Sequence, residues 1–139
     1  MTEDLRNSII SELRCNNICA QASDNHILIQ TTIENIDLEL RCEFNEAFPY
    51  EFPSIYLNGD SRDKIPAMPH INTDGSICIF DEGVAVANFM QPEKLACETI
   101  QKAISIIQHG VRKENSWDFL DEFNAYWSTK AIFQANCFI

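Results

Sequence analysis

The stretch Pro69–Phe80, with the sequence PHINTDGSICIF, restricts the fold of this chain more than any other part of it. The stretch cannot continue a regular helix or strand, because Pro69 lacks a backbone donor and residues 72–75 are all turn formers. A short apolar run with a single thiol follows the turn. We therefore predict a loop that presents Cys78 eight residues after His70, either as a functional site or as an ordinary corner with a buried cysteine.

The segments before this loop have the periodicity of a helix followed by strands. Residues 2–15 carry an apolar stripe at four-residue spacing, which predicts a helix capped by Thr2. Residues 17–44 are predicted to form an antiparallel meander with a turn at 23–25. Alternating residues in 26–33 and 37–44 predict two of its strands, with one buried face. The segment FPYEFP is predicted to be extended, and the run at 54–57 to be an edge strand.

Two helices are predicted after the loop. Pro92 stands at a first-turn position of the first, and Gly110 is its predicted C-terminal cap. A second helix is predicted from Asn115, with tryptophan and phenylalanine on one side. The predicted fold is α+β: an N-terminal helix, a four-stranded antiparallel meander, a long irregular loop and two C-terminal helices, in a single domain of residues 1–139.

Composition excludes several classes of function. The net charge of −11 argues against nucleic acid or an anionic membrane as a partner, because both are bound through basic surfaces. The acidic N-terminus is not a secretory signal, and no apolar run is long enough for a membrane span. The six cysteines lack the spacing of a zinc site and are not in a small secreted chain. We expect a cytoplasmic protein with reduced thiols, no metal and no cofactor.

These residues together resemble the ubiquitin-conjugating enzyme family, and the resemblance extends over nearly the whole chain. Gly75-Ser-Ile-Cys-Ile79 is similar to the family's Gly-x-Ile-Cys-Leu, and Pro69 falls on the proline of its His-Pro-Asn motif. The FPYEFP segment and Pro92 resemble the proline-rich approach to the family's site and the proline that opens the helix after it. The resemblance implies the UBC-like fold.

The match departs from the eukaryotic pattern in ways that favour the bacterial branch of the family. Met68 stands in place of the family's histidine, and His70 in place of the asparagine that stabilises the oxyanion. The spacing from Cys78 to Pro92 is also about four residues longer than the resemblance implies for the eukaryotic enzymes. The pattern Pro-His-x-Asn-x-Asp-Gly-x-Ile-Cys and the segment DFLDEFNAYW at residues 118–127 look more like the bacterial branch. The resemblance to that branch implies a link to activating enzymes and deubiquitinase-like peptidases, in several cases in antiphage defence.

The resemblance implies that Cys78 accepts the C-terminal carboxyl of a ubiquitin-like modifier, or of another protein, as a thioester and passes it to an amine on a target protein. The thiol is loaded by an activating enzyme in that scheme. For His70 three roles stay open: donor to the oxyanion, base toward the amine, or a residue that fixes the loop through a backbone carbonyl.

Two further residues are candidates for the site. Asn72 has an amide that could replace the displaced asparagine, although an Asx turn explains it equally well. Asp81 could orient an incoming lysine, although a solvated loop charge is an equally simple explanation.

Two other classes of function fit the sequence less well. A UBC-fold binding module without transfer activity would scaffold a conjugation or signalling complex, but such variants usually lack the cysteine. An unrelated Cys–His hydrolase would need a third group to orient the histidine, and the predicted elements offer none.

Overall fold

The computed structural model describes residues 1–79 and 90–112, in which two helices pack on one antiparallel sheet. The sheet has the strand order β1-β2-β3-β4. The predicted third helix and Asp81 lie outside the described residues. The elements are α1 (Glu3–Cys15), β1 (Cys19–Ser23), β2 (His26–Ile33), β3 (Ile36–Glu43), β4 (Ser54–Leu57), a 3₁₀ helix (Gly59–Lys64) and α2 (Pro92–Val111). The predicted α+β fold, with an N-terminal helix, a four-stranded meander and a helix after the loop, is confirmed.

Helix α1 begins and ends at the predicted positions. The Thr2 hydroxyl oxygen accepts a hydrogen bond from the Leu5 N–H at 3.2 Å. At the other end Asn17 has a left-handed φ of 61°, and the Ile18 N–H donates to the Leu13 carbonyl at 2.9 Å. This is the hydrogen bonding of a Schellman motif, which satisfies carbonyls left over at a helix end.

The sheet is held in register by tight turns between β1, β2 and β3. Glu34 and Asn35 connect β2 to β3 and both have positive φ, as a two-residue hairpin turn requires. Apolar side chains alternate with polar ones along β3, as predicted, and the buried apolar side chains of all four strands lie on one face of the sheet. The core consists of side chains from α1, the sheet, the loop and α2, among them Ile9, Leu13, Ile27, Ile29, Leu38, Leu40, Ile55, Ile100 and Ile107.

Helix α2 is longer than predicted at its C-terminal end. Pro92 occupies the first turn, as expected, but Gly110 lies inside the helix and is not its cap. The helix continues to Val111, and Arg112 is the capping residue. The prediction of Gly110 as a cap was therefore wrong, and the reason for a glycine there is steric, as described below.

The chain between β3 and β4 also differs from its predicted extended form. Residues 46–50 form turns, in which the Ala47 carbonyl accepts hydrogen bonds from the N–H groups of Tyr50 and Glu51. The Phe48–Pro49 peptide bond is cis. The Phe48 ring packs edge-on against Phe44, with ring centroids 4.7 Å apart. Local hydrogen bonds thus replace the extended backbone that the two prolines suggested.

The 3₁₀ helix after β4 was not predicted. It is fixed to β3 by Ser61, which is 2% exposed and whose Oγ accepts a hydrogen bond from the Glu39 N–H at 2.8 Å. The Asn58 N–H donates to the Glu39 carbonyl at the same distance. Both contacts occupy backbone groups of β3 beyond the end of β4, so the 3₁₀ helix covers the sheet where β4 stops.

Candidate active site

The predicted loop is a small β-hairpin. The Gly75 N–H donates to the Asn72 carbonyl at 3.0 Å, and the Asn72 N–H donates to the Ser76 carbonyl at 2.9 Å. Ile71 and Ile77 face each other across the hairpin. Gly75 has a φ of +89°, which is the position where a three-residue hairpin turn commonly has a glycine in the bulge. The turn formers at 72–75 therefore build a hairpin of fixed register.

Side chains within the turn reinforce this hairpin. The Asp74 Oδ1 accepts hydrogen bonds from the Ser76 hydroxyl at 2.6 Å and from the Ser76 N–H at 2.9 Å. These bonds to Ser76 lower the pKa of the Asp74 carboxyl, because they favour its charged form. The Asn72 Nδ2 donates to the Ser76 Oγ at 2.9 Å, so Ser76 joins both ends of the turn.

The hairpin is attached to the outer edge of β4 by backbone hydrogen bonds. The Leu57 N–H donates to the Gly75 carbonyl at 2.8 Å, and the Ile77 N–H donates to the Ile55 carbonyl at 2.9 Å. Tyr56 and Ser76 form an antiparallel bridge between these two bonds. The second arm of the hairpin thus pairs with β4 as a short additional strand, which covers an edge that would otherwise be open.

Gly75 is required by the close approach of this arm to β4 as well as by its backbone angle. A Cβ atom at position 75 would lie 3.0 Å from the Leu57 carbonyl oxygen. That oxygen belongs to the backbone of a paired strand and cannot move away without disturbing β4.

Cys78 is the next residue along the chain after the hairpin arm that pairs with β4. Ile77 is buried and Cys78 is exposed, as alternation along an extended segment predicts. The Cys78 N–H donates to the His70 carbonyl at 2.7 Å. The thiol is therefore open to solvent while its backbone is fixed to the rest of the hairpin, which is the arrangement that a nucleophile needs. A buried structural cysteine, the simpler alternative, does not fit this exposure.

His70 lies opposite Cys78 at the base of the hairpin. It is half-buried, and its φ of +68° is unusual for a residue with a side chain. The same backbone conformation occurs in the turns of this chain at Asn17, Glu34 and Asn35, and at His70 it lies at the base of the hairpin. The structure therefore brings His70 and Cys78 together through their backbones.

The other candidate residues have different positions. Asn72 is exposed at the start of the turn, with its side chain bonded to Ser76 as described above. The role of Asp81 stays a prediction. Arg62, a half-buried residue of the 3₁₀ helix, was not predicted near the site, and its Nε donates to the Asn72 carbonyl at 3.4 Å. No pattern in the sequence connects Arg62 to a turn ten residues later.

The remaining thiols differ in their surroundings. Cys42 and Cys97 are buried, and burial raises the pKa of both thiols. Cys15 and Cys19 are exposed at the end of α1 and the start of β1. Among residues 1–79 and 90–112, no group of three or more His, Cys, Asp or Glu side chains is placed to hold a metal ion. Neither α1 nor α2, the helices of these ranges, is a candidate for crossing a bilayer.

Comparison with known proteins gives one family. The family model described as Prokaryotic E2 family B matches residues 11–134, which include the hairpin and Cys78. No curated protein and no solved structure matches the chain significantly.

Proposed function

Because this chain belongs to prokaryotic E2 family B, we propose that it carries a ubiquitin-like modifier as a thioester on Cys78 and transfers it to an amine of a target protein. Membership in a family of conjugating enzymes implies protein partners, such as an activating enzyme and a modifier. The observation that carries the proposal is the exposed Cys78 thiol on a backbone fixed by the 2.7 Å hydrogen bond to His70.

The proposed reaction has two acyl transfers at one carbonyl carbon. In the loading step the Cys78 thiolate attacks the modifier's C-terminal thioester on the activating enzyme. A bond to the Cys78 sulfur forms, and the activating enzyme's sulfur leaves as a thiolate. In the transfer step the target amine attacks the same carbon, the bond to the Cys78 sulfur breaks, and the amine nitrogen gives up a proton to a base.

Each step passes through an oxyanion that needs hydrogen-bond donors. The Cys78 N–H already donates to the His70 carbonyl, and we therefore propose side chains as the donors. We assign this role to the His70 imidazole and to Asn72, whose Nδ2 has a second N–H besides the one bonded to Ser76. His70 is also proposed to act as the base in the transfer step, and Asp81 is proposed to orient the incoming lysine.

His70→Gln separates the two roles of His70. Glutamine keeps an N–H donor but cannot take up a proton near neutral pH. If His70 is an oxyanion donor, His70→Gln retains most loading and transfer activity. If it is the base, loading is retained, while transfer to free lysine is slowed and recovers as the pH is raised.

The first test of the function is a non-reducing gel of the chain incubated with ATP, the activating enzyme and the modifier encoded beside it. We expect an upward shift that thiols reverse, that becomes thiol-resistant in Cys78→Ser and that is lost in Cys78→Ala. Cys15→Ser is the matched control, because Cys15 is also exposed but lies on α1, and its variant should load normally.

One outcome contradicts the proposal. If the activating enzyme forms its own thioester with the modifier and no adduct appears on Cys78, the chain is a binding module of the same fold. The proposed cellular setting, antiphage defence in the bacterial cytoplasm, is tested separately by phage challenge of cells that carry Cys78→Ala.

A further inference from the structure

Gly110 in the last turn of α2 is the least expected glycine of the described chain. It is buried and helical, and it caps nothing. Glycine destabilises a helix interior relative to alanine, and a helical backbone makes no use of its conformational freedom. The reason for glycine at this position must therefore be the absence of a side chain.

The space that a side chain would fill is occupied by Met68. A Cβ atom at Gly110 would lie 2.3 Å from the Met68 Sδ and 3.2 Å from both its Cβ and its Cγ. Met68 is 4% exposed, so the thioether cannot swing out into solvent without leaving the core. The Cβ, Cγ and Sδ atoms of Met68 thus pack against the α2 backbone at Gly110, and this contact fixes the position of Met68.

Met68 in turn determines where the base of the hairpin begins. It is followed by Pro69, which is buried, has a fixed φ and restricts the backbone of Met68. His70 comes next with its left-handed φ, and its carbonyl accepts the Cys78 N–H. Only two peptide bonds separate Met68 from His70. Because the backbone dihedrals of Met68 and Pro69 are restricted, a displacement of Met68 should also displace His70.

We propose that Gly110 and Met68 form a positioning contact through which the C-terminal end of α2 sets the placement of His70 and Cys78. The residues do not touch the reacting atoms and act through the backbone of His70. The inference rests on the proposed function for its activity readout.

The test is a size exchange across the contact. Gly110→Ala should slow loading of Cys78 about tenfold or more, since small misplacements of a reacting group reduce rates strongly. In the double variant Gly110→Ala with Met68→Ala the overlapping Sδ and Cγ are gone, and loading should recover to within about threefold of the wild-type rate. Ile33→Val, a modest core substitution on β2 outside this contact, is the control for lost stability and should load at the wild-type rate.

A second readout does not depend on the proposed function. The amide resonance of Cys78 reports its hydrogen bond to His70, and it should shift in Gly110→Ala and return in the double variant. If the wild-type chain never forms a thioester, the proposed function fails, but this resonance still tests the contact. If Gly110→Ala does not fold, Met68→Ala alone replaces it, and the resonance should shift because neither the methionine side chain nor an alanine methyl group at position 110 then fills the space beside α2.

Two results would overturn the inference. One is a folded Gly110→Ala variant that loads at the wild-type rate with the Cys78 resonance unmoved. The other is a loading defect in Gly110→Ala that Met68→Ala does not relieve, since the defect would then come from elsewhere in α2.

Discussion

The replacement of Gly75 by alanine tests the attachment of the hairpin to β4, and the chain provides its own control in Gly59. Both glycines have positive φ, +89° and +57°. A Cβ at Gly59 would meet nothing within 4 Å, whereas a Cβ at Gly75 would lie 3.0 Å from the Leu57 carbonyl oxygen. Both substitutions place a side chain at positive φ, and only Gly75→Ala adds a close contact with neighbouring backbone.

The expected magnitudes follow from this difference. Left-handed backbone costs an L-residue about 1–2 kcal/mol, and alanine regains about 0.4–1 kcal/mol by restricting the unfolded chain, so Gly59→Ala should cost about 1 kcal/mol. Gly75→Ala adds an overlap with backbone that cannot relax, for which overpacking costs of about 1–3 kcal/mol are typical. We expect a total loss of about 2–4 kcal/mol in the free energy of unfolding for Gly75→Ala.

Urea unfolding followed by circular dichroism measures both losses, provided that the m-value is unchanged. Gly75→Ala should also slow loading of Cys78, which lies three residues further on, and Gly59→Ala should not. Equal losses of stability in the two variants would refute the reasoning, because the contact with Leu57 would then contribute nothing.

Two further predictions concern ionisation and thiol exposure. The hydrogen bonds that lower the pKa of Asp74 stabilise the folded protein when the pH is above the ordinary carboxyl pKa, and this stabilisation is lost as the pH falls through the lowered value. In Ser76→Ala an NMR titration should show the pKa of Asp74 rising toward its ordinary value. An unchanged pKa would contradict the assigned cause. Iodoacetamide should alkylate Cys78 in the folded protein and should alkylate Cys42 and Cys97 only in denaturant, as measured by peptide mass spectrometry. Rapid labelling of Cys42 in the native state would contradict its burial.

The sequence predicts the regular elements well because their causes are local. The strand ends at His26 and Ile33 follow from turn formers and from period-two alternation, both of which are visible within a few residues. The same holds for Thr2 as the cap of α1 and for Pro92 in the first turn of α2. Local rules fail at the 3₁₀ helix Gly59–Lys64, which Ser61 holds in place through a hydrogen bond to β3.

The sequence also predicts which residues form the candidate site but not how they are arranged. Turn formers before Cys78 predict a turn, yet nothing local indicates that the hairpin pairs with β4 through Leu57 and Ile55. Those hydrogen bonds join backbone groups, and every residue except proline has both a backbone N–H and a carbonyl. The bonds therefore do not require particular residue types and cannot be predicted from the sequence.

Gly110 shows the same limit in another form. A glycine near the end of a helix has the same appearance in a sequence whether it serves as a cap or makes room for a neighbour. The two possibilities are separated only by the position of Met68, more than forty residues earlier in the chain. The Met68 thioether occupies the space in which a side chain at position 110 would lie, and this tertiary contact decides between the two roles of the glycine.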